Sequence, residues 1–122
     1  MMSQEYNEQV CLENVSKILY HLSRFKSMRA SFAYRQRRHS WLAAGVPPHL
    51  ESAVLQEALR LIGVPFEVSK NMYRGRSYRS IITVLDVPRL RNTLENLEKN
   101  GALYSVLRKA YKEAVHRLFG KA

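Results

Sequence analysis

Apolar residues recur along the chain with helical spacing at both ends and with the alternation of strands in the middle. From Gln4 to Phe25 they recur at steps of three and four residues, which keeps them on one face of a helix. This first stripe consists of Cys11, Val15, Ile18, Leu22 and Phe25. It is too short for a coiled coil, so we expect a core-facing helix, with pairing of two copies of the chain as the alternative.

A second helix is predicted between Ser23 and Trp41, with Phe32 and the Trp41–Leu42 end facing inward. Its outer side would be strongly basic, because no acidic residue interrupts the stretch. The cations are Arg24, Lys26, Arg29, Arg35, Arg37 and Arg38. Gly45 is expected to end the helix, since glycine tolerates the left-handed backbone that closes many helices.

A third helix is predicted from Pro48 to Ile62, because proline suits the first turn of a helix and Gly63 follows the last apolar position. Its apolar face is broad and consists of Leu50, Val54, Leu55, Ala58, Leu61 and Ile62. A face of this width predicts the most buried helix of the chain.

Two strands are predicted next, from Val64 to Ser69 and from Tyr78 to Leu85. The first alternates between apolar and other residues, and the second is apolar on both faces, which predicts cover on both sides. A basic and aromatic tip, Lys70 to Ser77, joins them into an antiparallel hairpin.

Two helices are predicted after the hairpin. Asp86 suits the N-cap of a fourth helix that has Pro88 in its first turn and reaches Lys99. After Asn100 and Gly101, a fifth helix is predicted from Ala102 to Phe119, and so short a connection predicts an antiparallel pair.

The expected fold is therefore α+β and mostly α, with about five helices and one two-stranded antiparallel hairpin in the order ααα-ββ-αα, as one domain over residues 1–122.

Three helices followed by a hairpin resemble a winged helix-turn-helix, whose third helix enters the major groove. Here that helix exposes Glu51 and Glu57 and a single arginine, Arg60, a poor set for approaching phosphates. Trp41 also stands where the helix-turn-helix pattern has a small residue. We therefore assign the third helix to the core.

Composition adds a charge argument. The 122 residues carry a net charge of +10, and a polyanion is the partner best suited to such a surplus, so nucleic acid is the leading candidate. The alternative is a basic surface kept for solubility or used against an acidic protein. One cysteine excludes an intramolecular disulfide and fits a reducing cytoplasm, and no apolar run approaches a membrane span.

The candidate nucleic-acid-binding surface combines the basic second helix with the hairpin tip. Arginine forks match phosphate oxygens, and aromatic rings offer stacking surfaces for bases. Its residues are Arg24, Lys26, Arg29, Tyr34, Arg35, Arg37, Arg38, Lys70, Tyr73, Arg74, Arg76, Tyr78 and Arg79. The alternatives are an ordinary solvated helix face and a solvated turn. Cations from Arg108 to Lys121 either extend the surface or reflect the preference of a helix C-terminus for positive charge.

No catalytic or cofactor motif is present in the sequence. The four histidines are isolated, the acidic residues are scattered, and neither phosphate-binding glycine pattern occurs. Cys11 lies on an apolar stripe and is expected to be an inert core residue.

We expect a small non-enzymatic nucleic-acid-binding protein with an accessory or regulatory role and no cofactor or metal. DNA is favoured over RNA by analogy with helical scaffolds that carry a wing. The alternative is an adaptor or inhibitor that docks its basic face onto an acidic surface of a larger nucleic-acid-handling complex.

Overall fold

A computed structural model describes residues 7–24, 29–33, 48–73 and 76–120 and has an α+β fold that is mostly helical. Its elements are α1 (Glu8–Arg24), β1 (Arg29–Ala33), α2 (Pro48–Leu61), β2 (Phe66–Tyr73), β3 (Arg76–Val84), α3 (Val87–Lys99) and α4 (Leu103–Phe119). Four helices thus lie within the described residues, and the hairpin predicted from the sequence is present as β2 and β3.

The hairpin is part of a three-stranded antiparallel sheet with the order β1-β3-β2. In the central strand, Ile82 lies opposite Ala30 of β1 on one side and Val68 of β2 on the other. β3 is therefore the central strand, with a hydrogen-bonded neighbour at each edge. Ile82 is fully buried against the helices, whereas Ile81 on the other face is half-buried.

The prediction of a helix between Ser23 and Trp41 is wrong over β1, where the chain is extended. Polar and apolar residues alternate in Arg29–Ala33, and the strand supplies the second edge of β3 with backbone hydrogen-bonding partners. The rest of the predicted helix, residues 25–28 and 34–47, lies outside the described residues, as does Trp41.

The hairpin strands also extend further than predicted. β2 continues to Tyr73 and β3 begins at Arg76, so most of the expected tip is strand. At the other end, β2 begins at Phe66, two residues after the predicted start at Val64. The polar composition of Lys70 to Ser77 suggested a longer loop, but the backbones of the two strands pair through most of this segment.

Helix α2 lies between the sheet and α4, and α1 covers a further side of it. Seven of the twelve side chains described in this helix are buried: Leu50, Ser52, Ala53, Val54, Leu55, Ala58 and Leu59. Leu61, expected on the apolar face, is instead 42% exposed because it lies at the end of the helix. The prediction that this helix belongs to the core is confirmed by this burial.

The remaining helices close the core. The stripe of α1 is buried within the chain at Cys11, Val15 and Leu22. α3 packs mainly on α1, and α4 packs mainly on α2, so the two C-terminal helices are not each other's main contact. The Arg91 Nε of α3 donates a hydrogen bond of 3.0 Å to the Ser23 carbonyl, which satisfies a carbonyl at the C-terminal end of α1.

Local signals set the helix ends as the sequence predicts. The Asp86 carboxylate accepts a hydrogen bond of 3.1 Å from the Arg89 amide and caps α3. Gly63 has φ of +76°, the left-handed backbone that ends α2 and leads into β2.

Candidate nucleic-acid interface

The β1–β3 ladder joins two stretches that the sequence marks as basic. Ala33, the last residue of β1, lies opposite Arg79 of β3, and Arg29 lies opposite Thr83. Because the strands are antiparallel, β1 ends beside the part of β3 nearest the hairpin turn. The two stretches are 46 residues apart between Ala33 and Arg79 in sequence, yet their backbones are neighbours in one sheet.

The hairpin carries its candidate residues on strands and not on a loop. Lys70 lies opposite Ser80, and Tyr73 lies opposite Arg76. The register shifts between Asn71 and Met72, where β3 advances by two residues and β2 by one, so Tyr78 has no partner position on β2. An extra residue of this kind bends a strand and increases its twist. The end of the hairpin is therefore set at an angle to its base.

Seven of the thirteen candidate residues lie within the described ranges. Arg24 is the exposed last residue of α1, and the backbones of six others lie in the sheet. These six are Arg29, Lys70, Tyr73, Arg76, Tyr78 and Arg79. The remaining candidates, Lys26, Tyr34, Arg35, Arg37, Arg38 and Arg74, lie outside the described residues.

Two polar side chains of α2 form hydrogen bonds with neighbouring elements. The Glu51 carboxylate accepts a hydrogen bond of 2.8 Å from Asn14 Nδ2 of α1. The buried Ser52 hydroxyl shares a hydrogen bond of 3.3 Å with the Ser80 hydroxyl of β3. Both of these groups are directed at neighbouring elements of the chain. Glu51 and Ser52 are therefore engaged within the fold.

Glu57 links α2 to α4. Its carboxylate forms an ion pair with Arg60 at 2.8 Å and a second ion pair with Arg117 of α4. The acidic residue that weighs against base recognition by this helix is thus engaged by two arginines. Sequence reasoning did not identify this pairing, because Glu57 and Arg117 are 60 residues apart.

A further concave feature lies where α2 turns into β2. It is an open cleft of about 650 Å³, lined by Leu59, Arg60, Gly63, Val64, Pro65, Phe66 and Arg89. The Arg60 guanidinium lies 5.6 Å from the centre of the Phe66 ring, within the range of a cation–π contact. Since Arg60 is also paired with Glu57, it is largely committed to the fold.

Two half-buried tyrosines have raised pKa values, and both belong to helices. Burial and the nearby Glu98 carboxylate raise the pKa of Tyr20 to about 12. Its hydroxyl is removed from water and has no hydrogen-bond partner of good geometry among the described residues. Burial also raises the pKa of Tyr111, with smaller contributions from Cys11 and Glu8. Neither phenol belongs to the sheet surface.

Among the described residues, no three histidine, cysteine, aspartate or glutamate side chains are grouped as metal ligands would be. Cys11 is fully buried, in agreement with its expected place in the core. None of the helices in the described ranges is both long and apolar enough to cross a bilayer.

Comparison of the chain with models of protein families, with curated proteins and with solved structures gave no match.

Proposed function

We propose that this chain is a small, basic, non-enzymatic nucleic-acid-binding protein with an accessory or regulatory role, and that it binds DNA in preference to RNA. The binding surface lies at the end of the sheet where β1 meets the hairpin. The observation that carries the proposal is the pairing of Ala33 with Arg79, since it joins the two basic stretches in one backbone framework.

Charge supports a polyanionic partner. The chain has 20 lysines and arginines against 10 acidic residues. Only three of the acidic residues, Glu51, Glu57 and Glu67, fall between residues 14 and 85, a span that contains all candidate cations and tyrosines. Two of these three are bound to neighbouring elements through Asn14 and Arg117. Arginine contacts with phosphates would supply most of the affinity, and tyrosines would contact sugars or bases.

The proposed mode is winged-helix-like in a limited sense. The hairpin follows a helix and is anchored at its base by β1, as a projecting ribbon requires. Helix α2, which would be the recognition helix of such a fold, is enclosed by the sheet, α1 and α4. We therefore assign the leading contacts to the hairpin and the end of β1, with α2 as their support.

The test is a fluorescence anisotropy titration of labelled duplex DNA, single-stranded DNA and RNA of equal length at increasing salt. We expect binding that weakens steeply with ionic strength, because each phosphate contact releases condensed counterions. The double variant Arg76→Ala with Arg79→Ala should lower the magnitude of the salt slope by about 2, one for each contact removed.

A matched control removes two charges outside the sheet. Lys17→Ala with Lys99→Ala changes exposed residues of α1 and α3 and lowers the net charge equally. The control should bind nearly as the wild type does. Equal losses in both variants would show that only net charge matters and would overturn the assigned surface. If the wild type binds no oligonucleotide, the proposal is wrong and the adaptor alternative is favoured.

A further inference from the structure

Helix α4 has a basic side that faces away from the rest of the chain. Successive residues of an α-helix are turned by about 100°, so Arg108, Lys109 and Lys112 lie opposite the buried positions Leu107 and Ala114. All three cations are exposed. With Ser105 they line a shallow hollow of about 260 Å³. We call these three residues the α4 basic stripe.

The helix dipole does not account for the α4 basic stripe. Cations are stabilised near the C-terminal end of a helix, and the effect fades within the last turn. The basic residues in the last turn of α4 are His116 and Arg117, and the stripe residues lie before that turn. Arg108 is the sixth of 17 residues, and the first turn contains no acidic residue to balance it. The stripe therefore lies where the dipole gives it no benefit.

Neighbouring carboxylates do not neutralise the stripe either. Within the described ranges, the ion pairs are those of Glu57 with Arg60 and Arg117, and none involves Arg108, Lys109 or Lys112. Glu113 follows Lys109 by four residues, but a lysine that precedes glutamate is the weaker order for such a helical pair. Arg117 is thus committed to the fold, whereas the α4 basic stripe is presented to solvent.

Helix α4 and the sheet both pack on α2 and have no extensive contact with each other among the described residues. Helix α2 packs on β1 and β3, and it also forms the main contact of α4. The stripe is turned away from the face by which α4 packs on α2, so it does not face the elements that join α4 to the sheet. We therefore treat the α4 basic stripe and the basic end of the sheet as two separate surfaces.

We propose that the α4 basic stripe is a second polyanion-binding surface, which holds the phosphate backbone of a second nucleic-acid segment while the sheet holds the first. This inference rests on the proposed function and extends it from binding to bridging. From Arg108 to Lys112 the helix rises by about 6 Å. One strand of a duplex carries a phosphate about every 3.4 Å along its axis. The stripe is long enough for about two adjacent phosphates.

The experiment measures bridging and single-duplex binding separately. Two duplexes, one labelled with a donor fluorophore and the other with an acceptor, are mixed with the full chain, and energy transfer reports their approach. Anisotropy of one labelled duplex reports ordinary binding. We expect the wild type to give energy transfer that an excess of unlabelled duplex abolishes.

Three variants locate the second surface. The stripe variant, Arg108→Gln with Lys109→Gln and Lys112→Gln, should lose energy transfer to the protein-free level while still binding one duplex. The matched control, Lys17→Gln with Arg89→Gln and Lys99→Gln, removes three exposed charges from α1 and α3 and should keep energy transfer. The sheet variant, Arg76→Ala with Arg79→Ala, should weaken single-duplex binding more than the stripe variant does. Circular dichroism melting checks that each variant is folded.

The outcomes separate the two proposals. A wild type that binds one duplex but never brings two together overturns the second surface and leaves the proposed function standing. Energy transfer retained by the stripe variant also overturns it, since bridging would then come from two copies of the chain, each using its sheet. A wild type that binds no duplex overturns both proposals.

Discussion

The Glu57 carboxylate of α2 forms an ion pair with the Arg117 guanidinium of α4 and shares its charge with Arg60 of its own helix. The Glu57 side chain is only 12% exposed, whereas both arginines are about half exposed. A carboxylate so far removed from water is stabilised by its partners and would be costly without them. This link fastens α4 to α2.

Glu57→Gln should therefore lower the free energy of unfolding by about 1–3 kcal/mol, because the neutral amide cannot compensate two guanidinium groups. Urea denaturation followed by circular dichroism measures the change. Glu113→Gln is the matched control, since Glu113 is an exposed residue of α4 and no ion pair in the described ranges includes it. Equal effects of the two substitutions would contradict the assigned role of Glu57.

Neighbouring isoleucines of β3 provide a test of which face of the sheet is the core. Ile82 is fully buried, and Ile81 is half-buried on the other face. Ile82→Ala should cost about 2–5 kcal/mol of stability by leaving a cavity among α2 and the strands. Ile81→Ala should cost clearly less in the same chemical denaturation experiment. A larger loss at Ile81 would mean that the register or the facing of the sheet is wrong.

Much of the fold follows from local patterns. The helices after Asp86 and the buried face of α2 are confirmed, because a cap, a proline and a stripe of three- and four-residue steps all lie within one short window. Strand β1 was missed for the opposite reason. Its five residues lie in an arginine-rich stretch, and the element that stabilises them, β3, comes about 50 residues later. No local window contains both partners.

The candidate site divides in the same way. Composition predicts which stretches are basic, but the neighbourhood of Ala33 and Arg79 depends on strand pairing. The charge of Glu57 likewise suggests an acidic exposed face for α2. In the structure this charge is paired with Arg117. A residue type is visible in the sequence, whereas its partner is set by topology.

The N-cap of α3 gives a prediction at the junction between the sheet and the helices. Asp86→Ala removes the acceptor for the Arg89 amide and should lower the free energy of unfolding by about 1 kcal/mol. Asp86→Asn keeps a side-chain oxygen at the same position and should restore most of the loss. Thermal melting of the two variants beside the wild type tests the cap. An asparagine variant as unstable as the alanine variant would show that the carboxylate charge matters more than the hydrogen bond.

The Tyr20 hydroxyl predicts how stability changes at alkaline pH. Its pKa is raised from 10.0 to about 12 in the folded protein, chiefly by burial and then by Glu98. Between these two pH values the folded state holds the phenolic proton more tightly than the unfolded state does. Stability from this group is therefore complete below about pH 10 and is lost as the pH rises towards 12.

Tyr20→Phe should remove this loss without harming the protein at neutral pH, because the buried hydroxyl lacks a well-formed hydrogen bond among the described residues. The measurement is urea denaturation of wild type and variant at several pH values from 9 to about 12, the range in which the phenol titrates. The stability difference in favour of the variant should grow with pH. Tyr104→Phe, at an exposed position of α4, serves as the control and should keep the alkaline loss of the wild type. If the Tyr20→Phe difference stays constant across this range, burial of the phenol does not control its ionisation.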